Sequence, residues 1–220
     1  MTSQVTAIVP MRHSSERVAG KNYRALGGKP LFRHIVDTLL ESESVKQVVI
    51  DTDSPTIMEY TATHLPDVLV LQRPEHLRDG STPMNAVLAN TLSQLDGDNF
   101  LQTHSTNPFL RSQTIDRAVR HFFEEKVDSL FTVTPMHARF WWDAERPVNH
   151  DPAVLLRTQD LAPLYLENSC IYIFRRDPFL TEGNRITMKR GIFPMSALEA
   201  VDIDTEEEWD LAAALMERRS

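Results

Sequence analysis

Short apolar runs alternate with segments of helical period from the amino terminus as far as Val133. Thr6-Ala7-Ile8-Val9-Pro10 reads as a buried first strand, stopped by proline and followed by a polar, glycine-containing loop. Pro30 suits the first turn of a helix in which Leu31, Ile35, Leu39 and Leu40 fall at helical spacing. Val45 to Asp53 predicts a second strand, and Ser54-Pro55 opens another helix as cap and first residue. Further strands are expected at Val68 to Leu71, Asn99 to Gln102 and Ser129 to Val133, with helices at Pro83 to Leu95 and Ser112 to Glu125. Buried strands alternating with helices at this spacing predict an α/β fold built on a doubly wound, mostly parallel sheet.

The alternation stops between Met136 and Asp160, a stretch holding Trp141-Trp142 and Pro147 without a clear period. Residues 136–160 therefore read as an arm inserted in a single domain spanning residues 1–220, either a dimer contact or a flap over the core. Strands return at Cys170 to Phe174 and Ala200 to Asp204, and Thr205 to Arg218 closes the chain as a helix that starts acidic and ends basic.

Composition narrows the class. Hydrophobic residues at 41% and charged residues at 25% are ordinary for a globular chain and exclude disordered and collagen-like classes. No run approaches the roughly 18 apolar residues of a spanning helix, and the amino terminus lacks a basic-then-apolar leader, so a cytoplasmic protein without membrane partners is expected. The one cysteine, Cys170, excludes an internal disulfide and sits in an apolar run as a core residue. A formal charge of −8 argues against nucleic-acid binding. The charges are segregated, with Arg12, Arg17, Lys21, Arg24, Lys29 and Arg33 near the amino terminus and an acidic block from Asp202 to Asp210. One end attracts anions and the other can attract a cation.

The loop Arg12 to Asn22 follows the first strand, where an open parallel sheet binds its ligands. Its serines, backbone N–H groups and cations suit a triphosphate, although the spacing is not that of a P-loop. Gly27-Gly28 serves as a turn before the Pro30 helix. In Asp202-Ile203-Asp204, alternate residues of a strand would present two carboxylates to one magnesium ion; the competing reading is an acidic helix start with Asp204 as N-cap.

Ile8-Val9-Pro10-Met11-Arg12, Ser15, Arg17, Gly20-Lys21-Asn22 and Leu26-Gly27-Gly28-Lys29-Pro30-Leu31 together resemble the first motif of the acylneuraminate cytidylyltransferase family, whose members make CMP-activated sialic acids and related sugar acids. The resemblance continues through Arg73-Pro74-Glu75, Gln102 with Asn107-Pro108-Phe109-Leu110-Arg111, Arg157-Thr158-Gln159-Asp160, Glu167-Asn168 and Val201-Asp202-Ile203-Asp204-Thr205-Glu206. It implies a Rossmann-like nucleotidyltransferase fold with a dimerisation arm, and CTP and an anionic sugar acid as substrates. Arg12 and Lys21 are then placed on the CTP phosphates, with Ser15 and Arg17 beside them. Asn22 and Arg73 fall at the cytosine or ribose end and Thr82 near the nucleotide. Gln102 would face the acceptor, Arg157 matches an active-site arginine with Gln159 next to it, and Asp202 and Asp204 would hold Mg2+. His104 reads equally as a pocket donor or as a histidine satisfying loop backbone groups.

Three positions of the phosphate loop depart from the family pattern, Ser14, Glu16 and Ala19, and the loop from Gln102 to Arg111 is longer and more polar. The implied reaction moves CMP from CTP to the anomeric hydroxyl of a 2-keto sugar acid and releases pyrophosphate. The alternatives are the same fold acting on 3-deoxyoctulosonate or a non-sugar acid, and a catalytically silent nucleotide-binding relative. The resemblance also implies a homodimer whose arm residues, Arg157 first, act in the neighbouring site.

Overall fold

The computed structural model describes residues 4–15 and 17–218. Strand β1 (Val5–Met11) is buried along its whole length, as a central strand covered on both faces must be. Strands β2 (Val45–Thr52), β3 (Leu69–Gln72), β4 (Asn99–Thr103), β5 (Ser129–Met136), β6 (Leu164–Arg175) and β7 (Arg190–Pro194) complete a seven-stranded sheet in the order β3-β2-β1-β4-β6-β5-β7. Its pairs are parallel except that β6 runs antiparallel to both neighbours, β4 and β5.

Helices cover both faces. Ala7 and Val9 of β1 pack with Ile35 and Val36 of α1 (Leu31–Glu41), Ile57 of α2 (Pro55–His64) and Val119 of α4 (Ser112–Glu125). Ile8 points the other way, into a cluster with Leu88 of α3 (Met84–Leu92), Phe100, Phe174 and Phe179 of α5 (Arg176–Glu182). The period-two alternation of a strand accounts for this division. Ser54 caps α2 by accepting from the Ile57 N–H, with Pro55 in its first turn, as the sequence predicts. Gly27 and Gly28, at φ 55° and 86°, form the two-residue turn of a small hairpin pairing Ala25–Leu26 with Lys29–Pro30. Two positive φ values in succession are what such a turn demands.

A third cluster joins the C-terminal helix α6 (Glu206–Glu217) to the amino-terminal loop. Val18, Leu26, Leu31, Phe109, Ile203, Trp209 and Ala212 meet in it, and the Arg24 guanidinium lies 4.2 Å from the Trp209 ring while pairing with Glu206 at 2.7 Å.

Several elements differ from the sequence expectation. Ala200 to Asp204 is not a strand, because its backbone groups are taken by loops and side chains rather than by a ladder. Ile203 N donates to Thr106 O at 3.0 Å, Asn107 Nδ2 to Val201 O at 3.2 Å, and Lys21 Nζ to Ile203 O at 2.8 Å. Asp204 is not the N-cap of α6: Thr205 is, in a capping box with Glu208. The short elements α5 and β7 were not expected. Helix α5 has seven residues and is anchored by Arg176, whose guanidinium donates to the carbonyls of Leu92, Leu95 and Gly97 at 2.7–2.9 Å. Strand β7 is a five-residue edge strand ending at Pro194, a residue that edges tolerate.

Met136 belongs to β5, and the chain leaves the sheet between it and Leu164. That excursion holds a single bridge, Trp141 to Pro147, and one turn of 3-10 helix at Thr158–Asp160. Cys170 is buried in the core, and burial pushes its thiol far above the ordinary range, so it is no nucleophile.

Trp209→Ala is expected to lower the unfolding free energy by about 3–5 kcal/mol in urea melts, since it empties the centre of the cluster holding α6 on the loop. A loss under about 1 kcal/mol would show that α6 is held by other contacts.

Candidate active site

The chain runs outward from β1 to β3 and then crosses to β4, which makes the space beyond the carboxyl ends of β1 and β4 a topological switch point. A cleft of about 560 Å³ opens there. It is lined by the loop after β1, by Arg73 after β3, by Thr82, by His104, Ser105 and Thr106 after β4, and by Ser169, Arg185, Asp202 and Asp204.

The loop after β1 is shaped by local contacts. Gly20, at φ 62°, turns the chain so closely over Tyr23 that a Cβ there would lie 2.7 Å from the ring. Val18 is buried beneath the loop, and its N–H reaches Ser15 Oγ at 3.4 Å. Asn22, expected at the base or ribose, is buried and spends its amide internally: Nδ2 donates to Arg12 O at 2.8 Å, and Oδ1 accepts from Ser105 Oγ at 2.7 Å. It stitches this loop to the one after β4. Ser14 lines the cleft and Ala19 is exposed, while Glu16 lies outside the described residues.

Acidic and basic ends meet at Asp204. Lys21 Nζ donates to Asp204 Oδ1 at 2.9 Å and Arg17 Nη2 pairs with Oδ2 at 2.9 Å. Burial works against this carboxylate, but Lys21 and Arg17 prevail and hold it below the usual range. Asp202 behaves oppositely. Burial, together with the charge of Asp204 and against a hydrogen bond to Thr106, pushes its carboxyl upward, and its Oδ1 is buried without a hydrogen-bond partner. Ile203 between them is fully buried, so both carboxylates line the cleft without the strand geometry that the sequence suggested. Among the described residues no cluster of three or more His, Cys, Asp or Glu side chains is assembled for a metal ion.

Arg73 is only 3% exposed and is neutralised beneath the cleft, with Nε donating to Asp51 Oδ1 at 2.5 Å and Nη2 to Asp51 O at 3.2 Å. Thr91 Oγ1 donates to the second Asp51 oxygen at 2.7 Å and completes the network. The turn before α3 is fixed by Asp79, which accepts from both the N–H and the hydroxyl of Ser81 and presents Thr82 to the cleft.

Three expected site residues lie outside the cleft of their own chain. Gln102 does not line the cleft; it is fully buried on β4, under His104 and Arg185, where its amide bonds to both. Arg157 and Gln159 do not line the cleft of their own chain, because both ride on the exposed excursion, with Arg157 doubly bonded to Asp160 at 2.7 and 3.1 Å. His104 faces the cleft, and burial, reinforced by the nearby Arg185 and Lys21 charges, lowers its pKa to about 4, so it is neutral at physiological pH. Arg185 and Ser169 were not expected. A signal for Ser169 exists in the polar Glu167-Asn168-Ser169 breaking an apolar run, whereas Arg185 sits in a short loop without one.

Comparison with known proteins fits this geometry. A family model described as Cytidylyltransferase matches residues 6–219. The CMP-N,N'-diacetyllegionaminic acid synthase of Legionella pneumophila is 29% identical, covering 97% of each chain. The N-acylneuraminate cytidylyltransferase of Streptococcus agalactiae is 28% identical over 92% of this chain, which spans 51% of that longer relative. A solved structure of CMP:2-keto-3-deoxy-manno-octonic acid synthetase complexed with CTP superposes with a TM-score of 0.72 over 99% of this chain and 100% of that one; at 14% identity it supports the fold alone. A nucleotidyltransferase sheet with a polar cleft at its switch point, matched by the family model over nearly its whole length, makes this chain a member of the cytidylyltransferase family.

Proposed function

We propose that this enzyme transfers CMP from CTP to the anomeric hydroxyl of a nonulosonic, 2-keto sugar acid and releases pyrophosphate. The observation that carries the reading is the opposition in one cleft of Arg12, Arg17 and Lys21 to Asp202 and Asp204, with one Asp202 oxygen buried and unpartnered. Cations alone would suit any anion. A carboxylate oxygen left unpartnered beside them is in addition a ligand for a divalent ion, such as a nucleoside triphosphate carries. The names of the relatives, all makers of CMP-linked acids, supply the nucleotide and the acceptor class.

Asp202 and Asp204 would hold Mg2+, and the unpartnered Asp202 oxygen fits that assignment. A bound Mg2+ would screen phosphate charge and make the acceptor hydroxyl more acidic. The chain's own residues do the rest. Arg12, with Ser15 beside it, grips the triphosphate, and Lys21 and Arg17 exchange part of their hold on Asp204 for phosphate oxygens. Arg73, its charge already balanced by Asp51, offers its remaining N–H groups to the uncharged base or ribose rather than to phosphate, with Thr82 nearby. In-line attack then forms a bond from the hydroxyl oxygen to the α-phosphorus as the α–β anhydride bond breaks. The electron pair departs with pyrophosphate and the hydroxyl proton passes to water.

The excursion exposes Trp142 at 75% and Leu155 at 89%, with Trp141, Val154 and Leu156 also exposed, and Leu166 on the adjoining strand β6 is exposed too. So many exposed apolar side chains on one segment are costly in water, and burial would recover about 25 cal/mol per Å² of apolar surface. We assign it to pairing with a second copy, which would carry Arg157 and Gln159 toward the partner's cleft. Among the described residues no helix is long and apolar enough to cross a membrane; a cytoplasmic reaction is part of the reading we propose.

Asp202→Asn is expected to cut turnover on the order of 1,000-fold or more while leaving the melting temperature unchanged or raised, since it removes a buried, poorly satisfied charge. Asp204→Asn should also abolish turnover but lower stability, because it loosens Lys21 and Arg17. Near-normal turnover of both variants across a magnesium series would reduce the pair to a structural role.

Mixing an Arg157→Ala protomer with a Lys21→Ala protomer should restore activity through the one intact site of the heterodimer. If subunits demonstrably exchange and the mixture stays inactive, Arg157 does not act across an interface.

A further inference from the structure

Arg185 is a cleft-lining cation that has no direct salt bridge among the described residues; the Glu167 carboxylate, bonded to Tyr172 Oη, acts on it from beyond ion-pair distance. Arg17, Lys21 and Arg73 each pair with a carboxylate, whereas Arg185, like Arg12 in the loop after β1, makes no ion pair among the described residues. Its guanidinium is nonetheless elaborately held. Gly183, left-handed at φ 66°, ends α5 and turns the chain toward the cleft. The guanidinium then lies 3.6 Å from the centroid of the Tyr172 ring and donates to Gln102 Oε1, while Arg185 N donates to Asn85 Oδ1 at 3.3 Å. A planar fork fixed on one edge, stacked on one face and partly withdrawn from water is prepared for a planar anion on its open edge.

Gln102 can adopt only one orientation. Its Nε2 donates to Thr103 O at 3.1 Å, and a flipped amide would set oxygen against oxygen there and N–H against the Arg185 fork. The same Nε2 lies 3.0 Å from His104 Nε2, which must accept, so a neutral His104 carries its proton on Nδ1. Gln102 is thus a positioning residue for both side chains above it.

Ser169 reaches this end of the cleft through a bulge. Phe131 pairs with Tyr172 and Val133 with Glu167, so residues 168–171 oppose Thr132 alone. Thr132 Oγ1 donates to Asn168 Oδ1 at 2.7 Å and accepts from Ile171 N at 3.0 Å, which satisfies the interrupted ladder. Ser169 sits at φ 58°, a strained value for a non-glycine residue; Tyr172 Oη donates its one proton to Glu167 Oε1 at 2.5 Å and accepts from Ser169 Oγ at 3.2 Å.

The phosphate-facing cations belong to the loop after β1, whereas Arg185 rests on Gln102 of β4 and Tyr172 of β6, on the side of β1 away from Arg73. We propose that Arg185 binds the carboxylate of the acid acceptor, with Ser169 and His104 completing the acceptor end of the cleft. The assignment rests on the CMP-transfer reading. It places the carboxylate on a residue of this chain other than Arg157, the arginine that the resemblance puts in the active site.

The test uses the nonulosonic acid that the parent enzyme converts best, together with the methyl ester of that acid. The parent should favour acid over ester on the order of 100-fold in kcat/KM. Arg185→Gln should lose that preference through a raised KM for the acid, with CTP affinity by calorimetry unchanged, and Arg185→Lys should retain part of it. An Arg185→Gln or Arg185→Lys enzyme that keeps the full preference overturns the assignment and leaves CMP transfer standing. Loss of CTP affinity in both variants also overturns it, by moving Arg185 to the nucleotide. A parent enzyme that forms no CMP conjugate with CTP and any of a set of nonulosonic and octulosonic acids overturns the transfer reading and the carboxylate anchor together.

Discussion

Arg12, Arg17 and Lys21 occupy one short loop, and neighbouring cations near a protein surface repel by about 1–4 kcal/mol per pair at contact distance. Such a loop keeps a defined shape without its ligand only if an anion stands among the charges. Asp204 supplies it, with one oxygen on Lys21 and the other on Arg17. That contact requires the segment Val201 to Asp204 to reach the cleft from the far end of the chain. The cluster around Trp209, Ile203 and Val18 brings it there. The packing of α6 and the electrostatics of the cleft are therefore one constraint, and the same carboxylate that holds the empty loop can turn toward a metal-bound triphosphate when one arrives.

The parts of the fold legible in the sequence are those in which local chemistry and tertiary burial agree. Helix α4 has the bounds expected for it, Ser112 to Glu125, with its buried apolar positions at helical spacing, and in the structure Lys126 ends it in a left-handed cap. Strand β1 and the Ser54-Pro55 helix start were legible for similar reasons. The segment Ala200 to Asp204 misled because alternation in a short stretch says which residues are buried and not what the backbone bonds to. Ile203 is indeed buried between two cleft-facing carboxylates, but its backbone partners are Thr106 O and a lysine. Strand β7 and the antiparallel course of β6 depend on pairings between distant segments, which no local pattern encodes.

The site divides along the same line. Arg12, Ser15, Arg17, Lys21, Arg73, Thr82, His104 and the two aspartates were placed by residue type and by resemblance, and all of them line one cleft. Asn22 also lines the cleft, with its amide bonded to Arg12 O and Ser105, whereas Gln102 lies beneath the cleft and spends its amide holding other groups. Residues of that kind share the neighbourhood of ligand-binding groups in sequence, and only the hydrogen-bond network separates the two. Arg185 and Ser169 escaped because a seven-residue helix and a four-against-one bulge deliver them. The excursion from 137 to 163 was legible as a break in period, and the structure adds the concentration of exposed apolar side chains on it.

The central claim is that the loop cations and the Asp202–Asp204 carboxylates together form a receptor for a metal-bound cytidine triphosphate. Calorimetric titration of CTP and ATP, each with and without magnesium, addresses it most directly. The account predicts that CTP with magnesium binds at least tenfold more tightly than either CTP without magnesium or ATP with it, because the carboxylates repel a bare triphosphate and the polar groups beside Arg73 are left unpaired by the wrong base. Equal affinities for CTP and ATP, unaffected by magnesium, would contradict it.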